Sequence, residues 1–227
     1  MKSVFRLSPL LALLFCASVA SAQYSVDAHV GVGYAWDKSN NQGIDNANSP
    51  NNAFGPCTSS PLANPVADPY CETTSSLNSV LLGIGGDIMF KKHYGVGAQI
   101  DFQPAKKDYG PLQFRQTFYD FNGIYAPLST KRAVLHIEGG VGGARTGFSY
   151  TQTGCVGTAV CSTSSSAVGT ATHFDVHVGA GVMLFVTNHI FIKPQIDLHY
   201  VPGFTNQFNS NLAPSAMVSV GYSSGDH

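Results

Sequence analysis

Seven carboxylates and five histidines carry the only concentrated chemistry of this 227-residue chain, and they recur at alternate positions: Asp27 with His29, Asp87, Asp101, Asp120, His136 with Glu138, His173 with Asp175 and His177, and Asp197 with His199. One cation, Lys193, falls in the same phase. Alternate residues of an extended strand share a face, so each group points to one side of its strand. Positions i and i+2 lie about 6–7 Å apart at Cα, so His and Asp among His173, Asp175 and His177 could converge on a metal, with His199 as the third ligand. A catalytic zinc needs three protein ligands and an open position. The residue types fit better a hydrogen-bonded plug of the sort that fills small barrels, and no metal and no cofactor is assigned. So many acids in a confined interior cannot all ionise cheaply; either carboxyls keep protons or histidines take them up. No compact Ser/His/acid grouping occurs, and His199-Tyr200-Val201 lacks a serine two residues on, so no catalytic residue is assigned.

The elements that must position these groups alternate with period two. From Ala171 to Val201, Phe174, Val176, Val178, Ala180, Val182, Leu184 and Val186 oppose His173, Asp175, His177, Gly179 and Gly181; after a break at Thr187-Asn188-His189, Ile190, Ile192, Ile196, Leu198 and Tyr200 oppose Lys193, Gln195, Asp197 and His199. This is a strand pair. The same asymmetry marks further strands at 24–36, 79–90, 94–103, 112–125, 133–145 and 213–222, eight in all. In every one the polar or glycine face opposes an apolar face, the pattern of a barrel with lipid outside and polar residues within. A turn centred on Asn188 would set His177 opposite His199, and one centred on Ser129 would set Asp120 opposite Glu138. The fold class expected is an all-β, eight-stranded antiparallel transmembrane β-barrel with long extracellular loops.

Charged residues make up 11% and hydrophobic ones 44% of the chain, yet no run after residue 22 approaches the roughly 18 apolar residues of a helical span. Residues 1–22 read as a cleaved signal peptide: basic Lys2 and Arg6, an apolar centre from Leu10 to Val19, and Ala20-Ser21-Ala22 before Gln23. Residues 23–227 are then one barrel domain. Loss of Lys2 and Arg6 leaves ten basic against thirteen acidic residues, net −3, which argues against nucleic acid as partner. The four remaining cysteines, Cys57, Cys71, Cys155 and Cys161, form an even set in an exported chain, and nearest-neighbour disulfides are favoured among the possible pairings.

Connections after odd-numbered strands are long, about 40, 8, 25 and 10 residues, and those after even ones are short, as in barrels with short periplasmic turns and long outer loops. Tyr24, Phe90, Tyr94, Tyr125 and Tyr222 would ring the periplasmic edge, and Tyr34, Trp36, Phe102, Phe174 and Tyr200 the outer edge. On this pattern the chain, from Tyr24 to Tyr222, resembles the small eight-stranded outer-membrane barrels of the OmpA and OmpX type. The resemblance implies residence in the outer membrane of a Gram-negative-type bacterium, with outer-membrane lipid as surroundings. In that class an aromatic residue commonly closes the last strand; Tyr222 matches, although Ser223 to His227 extend past it. The functional reading is a structural or surface-recognition role carried by disulfide-tied loops, which would meet an extracellular ligand or surface partner. Its alternatives are a narrow, acidic ion or small-solute channel and a lipid-modifying outer-membrane enzyme, a hydrolase or acyltransferase.

Overall fold

The computed structural model describes residues 24–38, 76–90, 92–109, 112–156, 160–204 and 208–225. The chain runs β1 (Tyr24–Ala35), β2 (Ser79–Phe90), β3 (Tyr94–Phe102), β4 (Lys107–Tyr109), β5 (Leu112–Ser129), β6 (Ala133–Val156), β7 (Val160–Phe185), β8 (Ile190–Tyr200) and β9 (Leu212–Ser223). Neighbours pair in the order β3-β2-β1-β9-β8-β7-β6-β5-β4, and β3 also pairs with β5. That last pairing closes the sheet into an eight-stranded antiparallel barrel, because β4 only adds three residues to the flank of β5. Closure pairs both edges of the eight strands in the barrel wall, the condition for backbone to cross hydrocarbon.

Burial follows the alternation, with the polarity of a water-soluble protein inverted. Val30, Phe121 and Ile196 are 60, 70 and 65% exposed on the outside, whereas Asp27, Asp175 and Lys193 are 1, 0 and 1% exposed within. At the edge that carries the short turns the outward aromatics follow one another across neighbouring strands: Tyr24 is opposite Phe90, Phe90 opposite Tyr94, and Tyr94 opposite Tyr125, on which it stacks. At the other edge Tyr34 packs edge-on against Trp36. Amphipathic rings suit the headgroup level on both sides of a bilayer.

Three connections depart from expectation. The Thr/Ser/Gly-rich stretch taken as a loop after residue 145 is strand: β6 and β7 stay paired from Ala133↔Leu184 out to Cys155↔Cys161 and Val156↔Val160. Threonine suits a strand, but the Thr/Ser/Gly-rich sequence carries no apolar alternation to mark one. Lys107–Tyr109 pairs with β5 where the sequence suggested only a loop. The β5–β6 turn lies later than a centre at Ser129, since Thr130 and Ala133 close it with backbone and hydroxyl hydrogen bonds, and the register shifts between Tyr125 and Leu128. Asp120 therefore stands opposite Gly142, and Glu138 opposite Ile124 rather than Asp120. At the β7–β8 turn His177 does stand opposite His199.

Two apolar clusters occupy the inside. Toward the turn edge lie Met89, Ile124, Ala126, Val134, Met183 and Phe191. Toward the other edge lie Leu77, Leu81, Phe114, Phe118, Phe148, Val201, Phe204, Phe208 and Met217 with smaller neighbours. Phe204 and Phe208 come from the β8–β9 connection, stack at 4.1 Å, and are drawn in by the Phe208 amide on the Phe204 carbonyl and the Asn209 amide on the Lys38 carbonyl. Gly203 turns this connection with a φ of +91°, a backbone state that glycine enters freely. The polar groups of the interior lie between the two clusters. Residues 1–22, read as a signal peptide, and Cys57 and Cys71 lie outside the described residues.

Candidate functional site

Between the apolar clusters, inward residues of β2 and of β5 to β8 form a charged network, with further buried polar groups on β1 and β3. Asp27, His29, Asp87, Asp101, Asp120, His136, Glu138, Asp175, His177, Lys193, Asp197 and His199 are all buried. Lys193 Nζ lies 3.8 Å from Asp87 Oδ2 and 3.7 Å from Glu138 Oε2. His177 sits among three acids: its Nδ1 is 4.0 Å from Asp120 Oδ1, and its Nε2 is 3.9 Å from Glu138 Oε1 and 3.6 Å from Asp197 Oδ1. His199 Nδ1 is hydrogen-bonded to Asp175 Oδ2 at 2.7 Å. The two imidazoles stack at 5.1 Å, and Phe118 covers the other side of His199 at 4.3 Å.

Glycines let these side chains reach across the bore. Gly142 is opposite both Asp120 and Asp175, and Gly179 is opposite both Glu138 and Asp197. A methyl group on Gly142 would stand 2.6 Å from Asp120 Oδ1, and one on Gly179 would stand 3.1 Å from Glu138 Oε1. Ligand atoms of Asp120, Asp175 and His199 lie within 4.8 Å of one another, as do those of Glu138, His177 and Asp197. The grouping anticipated from one strand face is not formed: His173 is only part-buried and turns its ring edge to Phe204 at 5.9 Å.

Amides, which carry no charge to mark them in a sequence, organise the acids. The Gln195 Nε2 donates to Asp197 Oδ1 and Oδ2 at 2.8 and 3.0 Å and also to Glu138. Gln99 donates to Asp101 Oδ2 at 2.7 Å, and its carbonyl oxygen lies 3.5 Å from His29 Nε2. Polar residues facing inward on strands were visible as a class, but their partners depend on register.

Just beyond the end of β1, Asp37 is a further buried acid that strand alternation did not select. Its amide donates to Asn78 Oδ1 at 2.8 Å, its carbonyl accepts from the Leu77 amide at 3.0 Å, and its carboxylate accepts from Gln116 Nε2 at 3.2 Å. Gln116 also donates to Ser79 Oγ at 2.5 Å. Burial pushes the Asp37 carboxyl up to about 7, against smaller opposing effects of Gln116 and His199. A carboxyl raised on folding favours the fold when protonated, so its contribution is full below about pH 4 and fades as pH rises through about 7. Asp37→Asn is expected to remove that loss and make the protein more stable than wild type at pH 8, with little difference at pH 4. Urea unfolding at the two pH values measures this.

The sequence profile of the family described as the outer membrane protein beta-barrel domain matches residues 8–223. The chain belongs to this family. It is an outer-membrane protein of Gram-negative-type bacteria, and its outward apolar face is the face that meets lipid. Among solved structures, the attachment invasion locus protein Ail of Yersinia pestis, in a complex with the heparin analogue sucrose octasulfate, is similar at 10% identity over 87% of this chain and 98% of that one, with a TM-score of 0.47. Neisserial surface protein A is 13% identical over 88% and 96%, TM-score 0.46. OprG of Pseudomonas aeruginosa is 11% identical over 89% and 96%, TM-score 0.47. No curated protein matches the chain.

Proposed function

We propose that this family member is a sealed outer-membrane barrel that presents a surface-recognition element, and that it neither conducts solutes nor acts on lipid. The observation that carries the reading is the β6–β7 ribbon, which continues past Leu112↔Tyr150, the last β5–β6 pair, to Val156↔Val160. Its unaccompanied part is about 20 Å long at roughly 3.3 Å per residue. Lys106 Nζ donates to Ser165 Oγ at 2.9 Å and ties the ribbon to the neighbouring connection. A stiff scaffold that carries an exposed connection is the usual way in which recognition is built. Cys155 and Cys161 are in direct backbone register, which supports a disulfide across the ribbon near its tip. A second bridge, Cys57 to Cys71, would close a loop of about 15 residues, worth roughly 3 kcal/mol in the chain-entropy model.

Two observations favour recognition over the alternatives. Apolar clusters toward both edges oppose a water-filled path. His199, the histidine nearest to a lipid-modifying arrangement, is 2% exposed, bound to Asp175 and covered by Phe118. The partner expected is an extracellular ligand or a surface molecule of another cell.

The test uses bacteria that display the full protein or a form in which residues 152–164 are replaced by a short turn. Binding is read on arrays of glycans and matrix proteins, and barrel integrity by heat-modifiable electrophoretic mobility. The intact protein should bind at least one array component, and the shortened ribbon should lose it while the barrel stays folded. Equal binding by both forms, or by neither, overturns the proposal.

A further inference from the structure

We infer that the barrel interior binds divalent transition-metal ions, in the site formed by Glu138, His177 and Asp197 and in its neighbour formed by Asp120, Asp175 and His199. This goes beyond the recognition reading and does not depend on it. Each triad offers two carboxylates and one imidazole, all buried, with ligand atoms within 4.8 Å of one another. Two carboxylates and a neutral imidazole match the charge of one divalent cation.

Geometry and unmet bonding point the same way. A tetrahedral ion held at about 2.0–2.2 Å by nitrogen and oxygen has ligands about 3.3–3.6 Å apart. In the first triad His177 Nε2 is 3.6 Å from Asp197 Oδ1 and 3.9 Å from Glu138 Oε1, so the imidazole is within a few tenths of an ångström of the separation from each carboxylate that a common centre requires. Gln195, which donates to both carboxylates, supplies the outer hydrogen bonds that orient metal ligands. In the second triad Asp120 Oδ1 is buried with no hydrogen-bond partner. A buried polar atom without a partner is costly, and an ion held by Asp120, Asp175 and His199 would satisfy it in exchange for the hydrogen bond between His199 Nδ1 and Asp175 Oδ2.

The backbone provides the space. In each triad a glycine separates the two carboxylate-bearing strands, Gly142 between Asp120 and Asp175 and Gly179 between Glu138 and Asp197. A Cβ at Gly179 would overlap Asp197 Oδ1 and crowd Glu138. The competing cation is Lys193, whose Nζ is 3.7 Å from Glu138 Oε2, the oxygen that faces away from His177. Lys193 therefore leaves Oε1 without a second cation, and an ion there shares that oxygen with the Gln195 hydrogen bond.

The experiment takes the full protein refolded in detergent, strips it with chelator, equilibrates it with Zn2+ and measures retained zinc by mass spectrometry after gel filtration. One zinc ion per triad is expected. His177→Gln should lose one of them, and His177→Gln with His199→Gln should lose both, with heat-modifiable mobility preserved. Any zinc held by cysteines is unchanged by these substitutions and cancels in the comparison. Co2+ added to the wild-type chain provides the readout if the variants fail to fold: weak visible bands of tetrahedral nitrogen and oxygen coordination, without the intense near-ultraviolet bands of thiolate. A folded wild-type chain that shows no such cobalt bands, or folded variants that retain the wild-type zinc content, overturns the assignment. In either case His177 lies among the acids without holding an ion.

Discussion

Lys193→Met is expected to lower the unfolding free energy by about 3–5 kcal/mol, the cost of removing one partner from a buried ion pair. Lys193 is 1% exposed and is the only Lys or Arg among the buried residues described. It stands within 4 Å of both Asp87 and Glu138. Methionine keeps much of the chain's volume, so the loss comes from two acids left without a counter-charge rather than from a cavity. Buried pairs replaced as a whole by neutral groups are often close to neutral in stability. Lys193→Met combined with Asp87→Asn and Glu138→Gln should therefore recover most of the loss. Urea titration in lipid vesicles measures both. A single variant as stable as wild type, or a triple variant no better than the single, would show that the charges do not act as one network.

Gly142→Ala is expected to be the most disruptive methyl addition in the barrel. The new carbon would overlap the carbonyl oxygen of Tyr119 and stand 2.6 Å from Asp120 Oδ1. Backbone must move to admit it, and overpacking of this kind costs about 1–3 kcal/mol or more. Gly123 is a matched control in β5. It faces outward, and the nearest atom to an added Cβ is the Gly139 carbonyl oxygen at 3.7 Å. Gly123→Ala should refold with wild-type stability while Gly142→Ala loses about 3 kcal/mol or fails to refold. Equal behaviour of the two variants would mean that inward glycines are not there to make room.

The difference between those glycines shows how far the sequence could be read. Period two alone put Gly142 inside and Gly123 outside, because an alternating strand with one apolar face has only one sensible phase in lipid. The same reasoning placed Asp27, Asp175 and His199 within and Val30, Ile84 and Phe121 without. Register was harder. His177 opposite His199 follows from a tight turn at Asn188, but the β5–β6 turn lies between Thr130 and Ala133 rather than at Ser129, which sets Asp120 opposite Gly142 instead of Glu138. Contacts across the strands were out of reach for the same reason: Gln195 reaches both Asp197 and Glu138 only because the register sets Gly179 opposite each of those acids. The Phe204 and Phe208 plug lies in a connection, where apolar residues carry no period. The outer half of β6 and β7 is polar on both faces, so a strand there looked like a loop.

A barrel that is closed and works at its outer surface does not conduct, and planar-bilayer recording of the refolded wild-type protein measures this. Silence is expected across pH 4 to 8, with openings only when Phe118, Phe204 and Phe208 are together replaced by alanine. Steady cation-selective openings of the wild-type chain would contradict it and would make the buried acids the lining of a pore.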